Sequence, residues 1–159
     1  MKTIRALPLT AASFQLFGDV FEVPRSYGRT YVSDALANGR ANARASLSVI
    51  RVRPLSEPTL VAAKMERHEF SSQSFLPLDV ARYLVIVAPM SAAGLPDEAR
   101  LQAFLARGDQ GVTYRKNVWH HPLTVLDRDA AFAITMWLEQ DSTTDEEFID
   151  LATEIAISF

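Results

Sequence analysis

Three side chains combine a type and a spacing that could do chemistry: Glu66, His68 and His120. Glu66 and His68 stand two apart in a stretch that reads as a strand, so both project from one face. His120 lies in a second strand-like stretch, and a β-barrel could bring all three into its interior. Imidazole beside carboxylate is a common shell for a divalent metal and equally a common acid/base pair. The same residues would also make an ordinary ion pair on an exposed face. Arg51 sits between apolar residues of a strand; a buried guanidinium needs an anionic partner, and a bound carboxylate would be one. Arg115 and Lys116, flanking the histidine strand, could serve the same end or stand as exposed rim charges. Glu146 and Glu147 read as acids in the first turn of a helix, where they complement its dipole.

Several other chemistries are absent from the sequence. It holds no His-Glu-x-x-His, no Cys-x-x-Cys and no EF-hand loop, and no glycine-rich or Gly-Lys-Ser/Thr loop for a nucleotide. There is no Gly-x-Ser-x-Gly elbow. The lack of cysteine removes thiolate nucleophiles and disulfides. At 159 residues the chain is expected to form one domain, 1–159. With 48% hydrophobic and 22% charged residues it reads as a globular chain rather than a disordered one. A formal net charge of −3 without a clustered basic face argues against nucleic acid as a partner. No run approaches the roughly 18 apolar residues of a membrane helix. The first ten residues carry two cations but no apolar core or cleavage site, so a cytoplasmic protein is expected.

The elements that must position these side chains read mainly as strands. Lys2 to Leu7 is a first strand halted by Pro8; Thr10 caps a short helix carrying Phe14 and Phe17, stopped at Gly18. Val20 to Val23 is extended, and 25–44 is a loop with a short strand around Tyr31. Strands follow from Ser46 to Pro54, from Leu60 to Phe70, from Gln73 to Pro77 after a Ser71–Ser72 turn, and from Tyr83 to Pro89. Asp97 to Arg107 reads as a helix, with Leu101, Phe104 and Leu105 on one side. Glycines at 108 and 111 give a tight connection into Thr113 to His121, and Thr124 to Leu126 and Ala131 to Leu138 complete the strands. Thr144 with Glu147 forms a capping box for a C-terminal helix bearing Phe148, Leu151 and Ile155. About eight strands with a few peripheral helices predict a mainly β fold, a barrel or jelly roll.

Two stretches carry a family resemblance. Met65-Glu66-Arg67-His68, followed by Gln73, Phe75 and Pro77, is the first. Gly108-x-Gln110-Gly111-Val112-x-Tyr114-x-x-Asn117-Val118-Trp119-His120-His121-Pro122-Leu123 is the second, more specific one. Together they resemble the signature stretches of the ureidoglycolate lyases, a cupin-like β-barrel family formerly called ureidoglycolate hydrolases. The likeness extends from Pro8-Leu9 through Tyr83 to Pro89 and covers most of the chain. It implies cleavage of (S)-ureidoglycolate to glyoxylate and urea in allantoin and purine catabolism, by a homodimer without an organic cofactor. It also implies a divalent ion, nickel by family likeness. The usual cupin metal pattern has His-x-His and a later Glu in the first motif and a His in the second. Here the positions read Glu66-x-His68, Gln73 and His120, and two imidazoles, one carboxylate and one amide hold a metal less tightly.

Ureidoglycolate carries a carboxylate, a hydroxyl and a ureido nitrogen on one carbon. Its collapse needs a base for the hydroxyl proton and an acid for the departing nitrogen. An imidazole suits the base role at neutral pH, so that role falls to His120 or His68, with Glu66 orienting the histidine or donating the proton. Arg51 or Lys116 would hold the substrate carboxylate, Gln73 the urea end, and Tyr114 is a further substrate-binding side chain. If a metal is bound, its ligands would be His68, His120, Glu66 and Gln73. Two rivals stand beside this reading: an amidohydrolase releasing ammonia and carbon dioxide, and a non-catalytic cupin that binds a small carboxylate.

Overall fold

Two-residue alternation carries most of the chain into strands, and the computed structural model, which describes residues 1–139 and 145–159, folds them into two facing sheets. The first part of the chain gives β1 (Lys2–Arg5), β2 (Leu7–Pro8), helix α1 (Ala11–Phe14) and β3 (Gly18–Glu22). After a long irregular segment come β4 (Arg44–Val52), β5 (Leu60–His68), β6 (Gln73–Asp79) and β7 (Arg82–Ala88). The second half supplies β8 (Gln102–Arg107), β9 (Gln110–Tyr114), β10 (Trp119–His120), β11 (Thr124–Leu126), β12 (Ala130–Leu138) and β13 (Glu146–Ser158). The larger sheet runs β1-β13-β5-β10-β7-β8-β2, with β11 also on β7; the smaller runs β3-β9-β6-β12-β4. Pairing is antiparallel except where β1 joins β13 and β2 joins β8. The mainly β barrel expected from the sequence is the fold, and no described helix is long and apolar enough to cross a membrane.

The inner faces of the sheets meet in a core that includes Phe14, Phe75, Tyr83, Val85, Tyr114 and Phe132. The outer face of the larger sheet buries a second cluster, with Met65, Ile86, Trp119, Ile155 and Ile157 among its members. Central strands such as β7 are therefore apolar on both faces, which explains the unbroken run from Tyr83 to Ala88. Thr10 caps α1 and closes a reciprocal capping box with Ser13. Gly18, which the sequence suggests as a helix stop, instead opens β3. A β-carbon there would run into the Thr113 carbonyl of β9, so the close approach of the two strands requires glycine.

Five local expectations are corrected. Residues 97–107 are not a helix: a single 3-10 turn, Glu98–Arg100, capped by Asp97, is followed by β8. Both faces of β8 are covered, with Phe104 and Ala106 in the inner core, Ala103 in the outer one and Leu105 packed against it. Apolar residues on both faces of a strand imitate the stripe of a helix. The C-terminal segment is likewise β13, not a helix; Thr144 of the expected capping box lies outside the described residues. A register shift between Asp150 and Ile155 breaks the alternation of β13 and produces the helix-like spacing of Phe148, Leu151 and Ile155. Tyr31 lies in no strand, and the 25–44 segment makes only an isolated bridge, Asn38 to Ser71, before β4 begins. The histidine stretch is interrupted after Tyr114 by a turn in which Asn117 takes a left-handed φ of 67°. Pro8 continues into β2, at a sheet edge where its missing N–H costs no ladder bond.

Candidate active site

Alternation along two adjacent strands builds the site. On β5, Met65 and Arg67 face outward while Glu66 and His68 face the space between the sheets. On β10, Trp119 faces outward and His120 inward. The outward partners fix this orientation. Trp119 is fully buried, donates its indole N–H to the Gly94 carbonyl at 3.1 Å, and is covered by the Arg67 guanidinium at 4.6 Å from the ring centre. Asn117 donates its backbone N–H to the His68 carbonyl at 2.6 Å and accepts from Arg67 through its side chain at 3.0 Å. Register then places His120 directly across from Glu66.

The three side chains meet: Glu66, His68 and His120 each offer a donor atom, all lying within 4.8 Å of one another. His120 is held on every side. Its Nδ1 donates to the Val118 carbonyl at 2.9 Å, while Nε2 lies 3.1 Å from Glu66 Oε1 and 3.2 Å from Gln73 Oε1. The Tyr114 ring stacks on it at 4.1 Å between centroids and 15° between planes. Both ring nitrogens thus face oxygen atoms. Burial pushes the Glu66 carboxyl up, but its hydrogen bond to His120 and the charges of His120 and His68 outweigh this and hold it below its ordinary value.

His68 is the opposite case. It is 4% exposed, and neither ring nitrogen has a hydrogen-bond partner. Burial, then the neighbouring His120 charge, push its pKa down from 6.5 to about 4, so the ring is neutral at neutral pH. Asp145 Oδ2 stands 3.9 Å from Nδ1, too far for a hydrogen bond in this arrangement. Asp145 is tied down by the Phe70 N–H at 2.6 Å and faces Arg40 at 3.6 Å; Arg40 also binds Glu139 at 3.3 Å. The segment 25–44 is thereby fastened, through Arg40, to the carboxylate behind His68. Two unpartnered nitrogens on a buried imidazole, beside a carboxylate and a second imidazole, are a donor set that fits a divalent ion or a polar substrate.

Of the other side chains expected at the site, Gln73 and Tyr114 are brought to it and Arg51 and Lys116 are not. Gln73, on β6, faces across from the smaller sheet, with Met136 Sδ 4.0 Å from its amide nitrogen. Tyr114 is 5% exposed and wedged against Phe14 and Phe75. Burial holds its hydroxyl well above its ordinary pKa. Arg51 lies on edge strand β4, its side chain 73% exposed and paired with Asp129 at 3.6 Å. The premise of a buried guanidinium fails because Arg51 shares the open face of β4 with Leu47 and Val49. Lys116 is exposed in the turn after β9, with its Nζ beside Gly39. Arg40, Asp145 and Glu146 were missed. Glu146 and Phe148 alternate with Glu147 and Ile149, a strand signal hidden by the apparent helix cap.

Fold and side chains together define a cupin-type β-barrel with two imidazoles and a carboxylate converging in the cleft between its sheets. Among solved structures, a dTDP sugar isomerase from Desulfovibrio desulfuricans shares the fold at a TM-score of 0.50 and 15% identity, over 82% of this chain and 80% of that chain. The sequence pattern of the ureidoglycolate lyases matches residues 1–157. A ureidoglycolate lyase of Brucella melitensis biotype 2 is 38% identical over 157 residues, covering 93% of this chain and 90% of the relative. One of Rhizobium leguminosarum bv. trifolii is 44% identical over 136 residues and 80% of each chain. The chain belongs to the ureidoglycolate lyase family.

Proposed function

We propose that this protein is an enzyme that cleaves (S)-ureidoglycolate into glyoxylate and urea. The observation that carries the reading is the unequal setting of two adjacent histidines, one with both ring nitrogens against oxygen atoms and one buried without a hydrogen-bond partner. Breaking the C–N bond of a hemiaminal needs a proton acceptor and a proton donor at once. The neutral His68 offers a lone pair for the hydroxyl proton. As the C–O bond becomes a carbonyl, the C–N electrons leave with the ureido nitrogen. His120 donates its Nε2 proton to that nitrogen, and Glu66 compensates the imidazolium until it does. A proton carried from His68 back to the His120–Glu66 pair restores the starting state. Gln73 presents its amide to the substrate from the opposite sheet, and Tyr114 fixes the plane of the His120 ring.

His68, His120, Glu66 and Gln73 would hold a divalent ion, nickel by family likeness, which when bound supplies a Lewis acid to the carboxylate and hydroxyl oxygens. The chemistry requires no organic cofactor. The 159-residue chain acts as one cytoplasmic domain in purine nitrogen catabolism. It pairs as a homodimer through the open face of β4, where Leu47 and Val49 are 71% and 69% exposed; sedimentation as a monomer would remove that part.

The test is release of urea and glyoxylate from (S)-ureidoglycolate, with ammonia assayed in parallel, before and after dialysis against a chelator. Equal urea and glyoxylate without ammonia is expected. Ammonia in place of urea would mean an amidohydrolase, and saturable binding without turnover a carboxylate-binding cupin. Loss of activity on chelation, restored by one divalent ion, would assign the cluster as ligands.

A further inference from the structure

Three consecutive acids, Asp145, Glu146 and Glu147, meet three different surroundings. Asp145 is buried against the Phe70 N–H and faces Arg40. Glu147 points outward and binds Arg67 at 2.6 Å. Glu146 faces inward, and among the described residues it has neither a hydrogen bond nor an ion pair. Its position is fixed by the ladder: Glu146 is the cross-strand partner of His68, and Phe148 that of Glu66. Such partners share a face, with β-carbons about 5 Å apart. Glu146 therefore stands at the exposed rim of the cleft, on the same face as His68 and Glu66. Burial and the nearby Glu66 charge raise its pKa, which agrees with this placement. The cleft thus has two carboxylates on neighbouring strands of one sheet, while the side chains facing them from the other sheet, Gln73, Tyr114 and Met136, carry no charge.

We propose that Glu146 is a substrate-orienting residue: its carboxylate accepts the two ureido N–H groups, and with Glu66 it turns the substrate's carboxylate toward the opposite sheet. The inference rests on the lyase reading and adds to it the direction in which the substrate lies. A ureido group presents two N–H donors side by side, the spacing that a carboxylate accepts with both oxygens. The anionic end of the same molecule is repelled by any site bearing two acids. One residue therefore both attracts the neutral end and rejects the charged one, which is how a small asymmetric substrate is held in a single orientation. In that orientation the ureido nitrogen on the reacting carbon lies on the side of the larger sheet that carries His120.

Glu146→Gln tests this, because the amide keeps the shape but replaces one acceptor oxygen with a donor. The expected result is a KM for ureidoglycolate raised roughly tenfold to a hundredfold, the loss associated with a charge-assisted hydrogen bond. Inhibition by glyoxylate, which has the carboxylate but no ureido group, should stay the same or tighten. Glu146→Asp should recover part of the KM. Thermal unfolding checks that the variant is folded, and the exposed position makes that the expected outcome. An unchanged KM, or glyoxylate inhibition weakened as much as substrate binding, overturns the orienting role and leaves the lyase reading intact. A wild-type protein that does not release urea and glyoxylate overturns both.

Discussion

Replacing His68 with glutamine should change how stability responds to acid. In the folded protein burial, reinforced by the His120 charge, lowers the His68 pKa from 6.5 to about 4. A group whose folded pKa is depressed contributes stability that is fully present above its unfolded pKa and is lost as pH falls toward the folded one. Between about pH 6.5 and 4 the unfolded chain binds a proton at His68 that the folded chain refuses. The full gap corresponds to roughly 3 kcal/mol, and about 2.5 kcal/mol of it is lost between about pH 7 and 4.5. Urea unfolding of chelator-dialysed wild type and His68→Gln at both pH values isolates this quantity, since the other titrating groups are common to both. Wild type should lose about 2–3 kcal/mol more than the variant on acidification. Parallel losses, agreeing within about 0.5 kcal/mol, would show that His68 is hydrated or hydrogen-bonded in solution, and its role as a neutral acceptor would fall with that.

His120→Ala should lower kcat for ureidoglycolate by more than tenfold and toward the hundredfold to ten-thousandfold range of a lost proton donor; near-normal turnover would remove His120 from the mechanism. Arg51→Ala should leave KM within about twofold and stability within about 1 kcal/mol, because its partner is an exposed aspartate; a tenfold rise in KM would return Arg51 to the substrate site. Gly108→Ala should destabilise the fold by about 2 kcal/mol or more, because a β-carbon there would run into the Val80 carbonyl; an unchanged thermal midpoint would mean that the connection between β8 and β9 shifts freely.

Glu66, His68 and His120 were legible in the sequence because their positions depend on strand parity, whereas Gln73 and Tyr114 were named only through the family resemblance. Parity is a local property, and Met65/Glu66 and Trp119/His120 display it within two residues. The mainly β class followed from the same alternation, repeated along the chain. Arg51 misled because a charge flanked by valine and isoleucine looks buried, whereas β4 is a sheet edge, and edges are assigned by pairing. The segments at 97–107 and 146–158 misled because covering both faces of β8, or a register shift in β13, gives a strand the apolar spacing of a helix.

The sequence by itself determined which residue types were available and which faces of which strands they share. The tertiary structure decided which strands lie side by side. That pairing placed Glu66 against His120, leaving His68 without a partner, and set Glu146 across from His68, although 78 positions separate those two residues in the chain. It also decided that the His68 imidazole stays neutral, because desolvation and the distance to a neighbouring charge are properties of the packed interior. No local pattern in the chain encodes them.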